Sequence, residues 1–203
     1  MIVVNNLCTG YVKTLPLLKN FSYQFDNKIY GILGESGCGK TTLLRTIAGL
    51  TKPLSGEILI NGVKVGKANK NDVYMLHQNY TSFDWLTCLD NVLIAKKIQG
   101  RVTEEDICNA KQMLEIVKLG EHIEKYPRQL SGGMRQRLAL ARTLFVNPKI
   151  IIMDEPLSAL DDKTRNEMQN LILDVHKNTN NTILMVTHSI EEANKMCDKI
   201  IKI

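Results

Sequence analysis

Residues 34–41 read Gly34-Glu35-Ser36-Gly37-Cys38-Gly39-Lys40-Thr41, a G-x-x-x-x-G-K-[ST] pattern. An apolar run, KIYGIL at 28–33, precedes it. KTTLLRTIAGL at 40–50 follows, with apolar residues at helical spacing, so the pattern lies between a strand and a helix. That placement gives the residues their chemistry. The glycines let backbone N–H groups turn inward around phosphate oxygens, and the helix start adds partial positive charge. Lys40 can reach the β- and γ-phosphates, and Thr41 can offer its hydroxyl to Mg²⁺. The stretch predicts a nucleotide phosphate site at the opening of an α/β core.

Outward from this loop, the chain reads as one domain. Its 203 residues are 44% hydrophobic and 23% charged, which excludes disordered and fibrous architectures. No apolar run approaches the roughly 18 residues of a membrane span, and no signal peptide is visible at the start. The 26 basic and 21 acidic residues leave a net charge of +5, spread along the chain. That excess permits nucleic acid, anionic lipid or nucleotide as partners without selecting among them. The five cysteines form no C-x-x-C pair, so neither a disulfide framework nor a zinc site is expected, and a reducing cytosol suits them.

The Asn61-Gly62 pair between EILI and VKV predicts a hairpin, because both central residues of a type I′ turn need positive φ. With apolar stretches at 2–7 and 21–25, it implies a small antiparallel sheet beside the first strand, loop and helix. From 87 to 119 the pattern is helical. Thr103 and Asp106 open one helix as a capping box, with Ile107, Ala110, Met113, Leu114 and Val117 on one face and Gly120 closing it. A helix over 132–145 stops at Asn147-Pro148. Then come a strand from Ile150, a helix over 161–177, the strand TILMVT at 182–187, a helix capped by Ser189 and Glu192, and a strand over 198–203.

Two further segments carry chemistry. The strand from Ile150 ends in Asp154-Glu155, two carboxylates at the strand end where ligands of open α/β sheets collect. Asp154 can hold Mg²⁺ and Glu155 can orient and deprotonate a water. Leu130-Ser131-Gly132-Gly133-Met134-Arg135-Gln136 is a second glycine-bearing helix start, with Ser131 as N-cap. One nucleotide needs one cradle. A dimer resolves the excess, each nucleotide lying between the loop of one protomer and the Ser131-Gly132-Gly133 of the other.

LSGGMRQR at 130–137, between the phosphate loop and IIIMDEP at 150–156, strongly resembles the ATP-binding subunits of ABC transporters, over essentially the whole chain. The resemblance implies a P-loop NTPase fold of the ABC type: a RecA-like α/β core, a small antiparallel β-subdomain, and a helical subdomain at about 86–147. It implies ATP and Mg²⁺ as cofactors, held by Gly34 to Thr41 and Thr42, with Lys40, Glu155 and His188 catalytic. Thr41, Gln78 and Asp154 match the metal-binding positions. Tyr11 matches the aromatic that stacks on adenine, and Gln78 the glutamine that couples to the permease. Asp161 closes the Ser158-to-Asp161 segment that crosses the dimer interface. His188 matches the histidine that contacts the γ-phosphate. The implied partners are a second copy of the chain, transmembrane permease subunits and a solute-binding protein, at the cytoplasmic face of the membrane.

Trp85-Leu86-Thr87, Asp90-Asn91-Val92, YPRQ at 126–129 and TRNEMQNL at 164–171 resemble the importer branch for nitrate, sulfonate, taurine and bicarbonate. The chain stops after IIKI, so regulation by a C-terminal domain is not expected. The alternative is a non-transport ABC ATPase acting on nucleic acid or ribosomes. Such proteins join two cassettes or split one with coiled coils, and neither feature is present; no direct nucleic acid contact is expected. Bland readings stand beside the sharp ones: Tyr11 as a half-buried aromatic, Cys38 as a small filler of the loop, and His77, His122 and His176 as surface residues. Phe83 and Trp85 serve either a groove for a membrane partner or the core.

Overall fold

The computed structural model describes residues 1–10, 12, 15–66, 72–76, 82–158 and 160–203. Five strands, β3 (Ile29–Leu33), β6 (Val73–Leu76), β7 (Ile150–Asp154), β8 (Thr182–Val186) and β9 (Lys199–Lys202), form a parallel sheet in the order β6-β7-β8-β3-β9. Every residue of β3, β7 and β8 is buried. This is why these strands read as unbroken apolar runs rather than alternating ones.

One face of this sheet is covered by α1 (Lys40–Ile47) and by a second sheet. That sheet is antiparallel, with β1 (Ile2–Thr9), β2 (Leu18–Phe25), β4 (Ser55–Ile60) and β5 (Val63–Lys64) in the order β2-β1-β4-β5. Ile2 and Val4 of β1, Phe25 of β2 and Ile58 of β4 meet Leu43 and Ile47 of α1 and Ile152 of β7 in one cluster. The predicted hairpin is present: Ile60 pairs with Val63, and Asn61 and Gly62 take φ of 51° and 80°. On the opposite face, Leu140 of α4 (Gly132–Val146), Met168 and Ile172 of α5 (Asp162–Thr179) and Met196 of α6 (Ile190–Met196) pack against Ile151 and Met185.

A third apolar cluster lies off the sheets. Val92 of α2 (Cys88–Ile98), Ala110 and Leu114 of α3 (Glu104–Ile116) and Leu138 of α4 meet there. The Thr103 capping box forms as expected, with Asp106 as its reciprocal partner. The end of α3 differs from expectation. Lys118, not Gly120, takes the left-handed conformation, at φ 59°. Leu119 N–H returns to Leu114 O at 2.7 Å and the Leu119 side chain is fully buried. Burying Leu119 sets the register of the turn, and Lys118 accepts the positive φ as the consequence. His122 and His176 are half-buried rather than on the surface, and the His176 ring lies 3.4 Å from Asn181 Oδ1. His77 lies outside the described residues.

Phe83 is half-buried beneath the Arg142 guanidinium at 5.5 Å, whereas Trp85 beside it is 74% exposed, so Trp85 is no core residue. Buried Asn91 fixes this loop by accepting from Phe83 N–H and donating to the carbonyls of Phe83, Leu86 and Thr87. Leu114 is fully buried at the centre of the helical cluster. We expect Leu114→Ala to lower the unfolding free energy by about 3 kcal/mol, read as a shift of the urea transition.

Candidate nucleotide site

The loop between β3 and α1 is shaped by its glycines. Gly37 and Gly39 have φ of 82° and 103°, which L side chains rarely adopt. A Cβ on Gly34 would lie 2.3 Å from Ile203 O and 2.8 Å from Cys38 Sγ, so only glycine fits there. Gly39 precedes α1 with no side-chain cap, which leaves the first amides of the helix directed at whatever fills the loop. The buried Lys40 donates through Nζ to Gly34 O at 2.8 Å and Glu35 O at 2.7 Å, so the ammonium supports the loop from within.

The carboxylates arrive from β7. Asp154 is buried, and its Oδ1 accepts from the Thr41 hydroxyl at 3.1 Å. Glu155 follows at φ 49°, with its N–H on Val186 O at 3.1 Å. Its Oε1 lies 2.6 Å from His188 Nε2. A cleft of about 340 Å³ opens among Ser36, Gly37, Lys40, Thr42, Glu155 and His188. The phosphate loop, the strand end and the histidine therefore meet in one place. A larger cavity of about 730 Å³ lies between α3 and α5 and contains none of the predicted residues.

The hydroxyl of Thr41 and the carboxylate of Asp154 are hard oxygen donors in mutual contact, which suits Mg²⁺. Among the described residues no cluster of three or more His, Cys, Asp or Glu could enclose a metal. A cation held by these two side chains would complete its shell with phosphate and water oxygens, the habit of Mg²⁺ rather than of a caged metal.

Other predicted residues lie elsewhere. Ser131 caps α4, accepting from Met134 N–H at 3.3 Å, but residues 131–133 do not line the cleft. Ser131 and Gly132 are exposed, and a Cβ on Gly132 would meet nothing within 4 Å. Gly133 is closely approached, with Thr164 Cγ2 at 2.8 Å from its added Cβ. Asp161 caps α5 by accepting from Thr164 N–H at 3.0 Å, and this bond holds its carboxyl below the usual range. Tyr11 and Gln78 lie outside the described residues.

One local expectation needs correction. Ser189 accepts from Glu192 N–H at 3.1 Å, but the Glu192 carboxylate does not return to Ser189. The Thr187 hydroxyl intervenes, donating to Glu192 Oε2 and accepting from Ser189 N–H at 3.1 Å. Thr187 thereby ties both flanks of His188 to α6. Sequence reasoning also missed Leu17, which lines the cleft and would lie 3.0 Å from a Cβ on Gly39.

A family profile described as ABC transporter matches residues 18–158. The chain belongs to the ABC transporter family. It is 41% identical over 89% of its length to the taurine import ATP-binding protein TauB of Ruegeria pomeroyi, covering 67% of that protein. It is 40% identical over 94% of its length to the nitrate import ATP-binding protein NrtD of Synechocystis, covering 71% of it. An ABC transporter ATP-binding protein of Methanocaldococcus jannaschii is 43% identical over 87% of the chain. The chain spans 66% of that relative's length and 64% of a Bacillus subtilis one. A dimeric structure of the ATP-binding cassette MJ0796, in a post-hydrolysis state bound to ADP and Pi, superposes with a TM-score of 0.87 at 30% identity. That likeness covers 100% of this chain and 94% of the cassette. The ABC fold expected from the sequence is the fold observed.

Cys38 is half-buried in the ABC phosphate loop, with its Sγ 3.9 Å from Lys40 Nζ. We expect Mg-ATP to slow its alkylation, and alkylated chain to lose ATP binding, both followed by mass spectrometry and a fluorescent nucleotide. Equal labelling rates with and without nucleotide would place Cys38 outside the footprint.

Proposed function

We propose that this chain binds and hydrolyses ATP as the motor subunit of an ABC importer, driving a small solute through separate membrane subunits. The observation that carries this reading is the separation of two anion-seeking helix starts. The start of α1 lines the cleft with Glu155 and His188, and Asp154 meets it through Thr41, while Ser131 and Gly132 at the start of α4 stand exposed outside it. Two copies arranged so that each supplies residues 131–133 to the other's cleft put both of these helix starts on a phosphate. The γ-phosphate then holds the dimer closed, and its departure releases it.

Within each site, Lys40 and the loop amides carry the charge of the phosphates, and His188 contacts the γ-phosphate. Glu155 orients and deprotonates the attacking water, worth roughly 10²–10⁴-fold in rate. Thr41 and Asp154 would hold Mg²⁺, which would supply neutralisation of the phosphate charge. Tyr11 stacks on adenine, and Gln78 links the site to the permease. Asp161, at the start of α5, contributes to the interface between copies.

The helical subdomain at about 86–147 carries exposed Trp85 at its margin, a surface suited to permease subunits. No helix among the described residues is long and apolar enough to cross a membrane, which accords with a peripheral subunit held at the cytoplasmic face by its permease. The names of the relatives favour taurine, nitrate or an aliphatic sulfonate as cargo; a solute-binding protein would deliver it.

The test is Glu155→Gln on size exclusion with Mg-ATP, with Mg-ADP as control. We expect a dimer with ATP alone and turnover lowered at least about 100-fold. Turnover equal to the unsubstituted chain would overturn the assignment of the base.

A further inference from the structure

The turn that follows β7 is held less by the strand than by two helices. Glu155 takes φ 49°, which a glutamate adopts only where its surroundings impose it. Pro156 adds to the cost, because a residue before proline favours extended backbone. Within the turn, Ser158 returns to Glu155 O through its N–H at 3.4 Å and its hydroxyl at 3.1 Å. Leu160 N–H likewise returns to Leu157 O at 3.3 Å, and donors from outside the turn reach its carbonyls as well.

Two side chains supply those donors. From α4, buried Gln136 donates Nε2 to Pro156 O. From α5, Arg165 donates Nε to Leu157 O at 3.5 Å and Nη2 to Leu160 O at 2.5 Å, while Nη1 meets Asp162 Oδ1 at 2.6 Å. Neither residue lines the cleft of about 340 Å³, although Arg165 shares a neighbouring cavity of about 280 Å³ with Glu155 and His188. Their targets are main-chain oxygens on the segment that aims Glu155 at His188.

We infer that Gln136 and Arg165 are positioning residues for the Glu155 carboxylate, and that Gln136 couples the exposed start of α4 to it. The inference rests on the dimeric ATPase reading. Gln136 lies between one and two turns along the helix from Ser131, a distance over which an α-helix moves as a rigid body. When Ser131-Gly132-Gly133 engage a phosphate in the partner's cleft, the displacement of α4 arrives at Pro156 O. The glutamate one residue earlier moves with it. Each nucleotide thereby sets the base that acts on the other. Arg165 fixes the far end of the same turn against α5, so the displacement is concentrated on Glu155 instead of dissipating toward Leu160.

The experiment uses the full chain with Gln136→Met, which keeps the side-chain length and removes the donor. Arg165→Lys keeps the charge but cannot span two carbonyls, and carries the test should Gln136→Met fail to fold. Amide hydrogen exchange is followed over 155–160 and over the phosphate loop at 34–42, together with nucleotide affinity and turnover. We expect exchange over 155–160 to quicken by about tenfold or more in Gln136→Met and by less in Arg165→Lys, as local opening does. Exchange over 34–42 and the nucleotide Kd should stay within about twofold, while kcat falls about tenfold with KM unchanged. Unchanged exchange over 155–160 overturns the inference, as does an equal rise along the whole chain, which would make the two residues general core supports. Glu155→Gln is the reference: normal turnover in that variant removes Glu155 as the base, and the exchange data then decide separately whether Gln136 and Arg165 hold the turn.

Discussion

The parallel register of three strands is the constraint on which the site depends. Val186 of β8 is level with Ile32 of β3 on one side and with Asp154 of β7 on the other. The loops that leave these strands therefore emerge together. Gly34 begins the phosphate loop two positions beyond Ile32, Asp154 stands at the level itself, and His188 follows two positions beyond Val186. Residues as distant in sequence as Thr41 and Asp154 are brought to 3.1 Å by this alignment. A slip of one residue in β8 would move each side chain to the opposite face and carry His188 to the wrong height. Burial of both sheet faces makes such a slip costly, since every residue of β7 and β8 is enclosed.

Enclosure also sets the electrostatics. Lys40 and Asp154 are charged groups that the fold buries, and a buried charge is tolerated only with partners. Lys40 has two carbonyls of its own loop, and Asp154 has the Thr41 hydroxyl. Those partners belong to a loop whose shape depends on glycines at positive φ, so charge burial and loop shape support each other. The result is a fixed set of donors and acceptors that needs little rearrangement when phosphate oxygens arrive.

Much of this was legible because it is written locally. A G-x-x-x-x-G-K-T pattern between an apolar run and a helical one, an Asn-Gly turn, and Ser131 and Thr103 as helix caps each need only neighbouring residues to act. The positions that sequence reading missed depend on distant ones. Leu17 belongs to the cleft because β2 begins beside Gly39, and nothing in LPLLKN at 15–20 announces it. Gly120 looks like the better residue to end α3, yet the burial of Leu119 assigns the left-handed position to Lys118. Ser189 and Glu192 have the spacing of a reciprocal cap, but the hydroxyl of Thr187 reaches the carboxylate first. In each instance tertiary packing decided between alternatives of similar local merit.

Helix α4 shows how the two apolar clusters are joined. Leu138 and Ala141 face the helical cluster, while Ala139 and Leu140, on the other side of the same turn, face the sheet. The helix is therefore shared, and the helical cluster cannot turn against the sheet without carrying α4 with it. Arg137 reinforces the junction through Glu167 of α5, which Lys118 also approaches at 3.8 Å from the end of α3. One beam thus bears the exposed Ser131-Gly132-Gly133, both cores and the Gln136 amide on Pro156 O. A force applied to the helical cluster from outside and a phosphate bound at the start of α4 would act on the same rigid body. Through that shared element, the proposed binding event at the start of α4 would register at the Glu155 carboxylate.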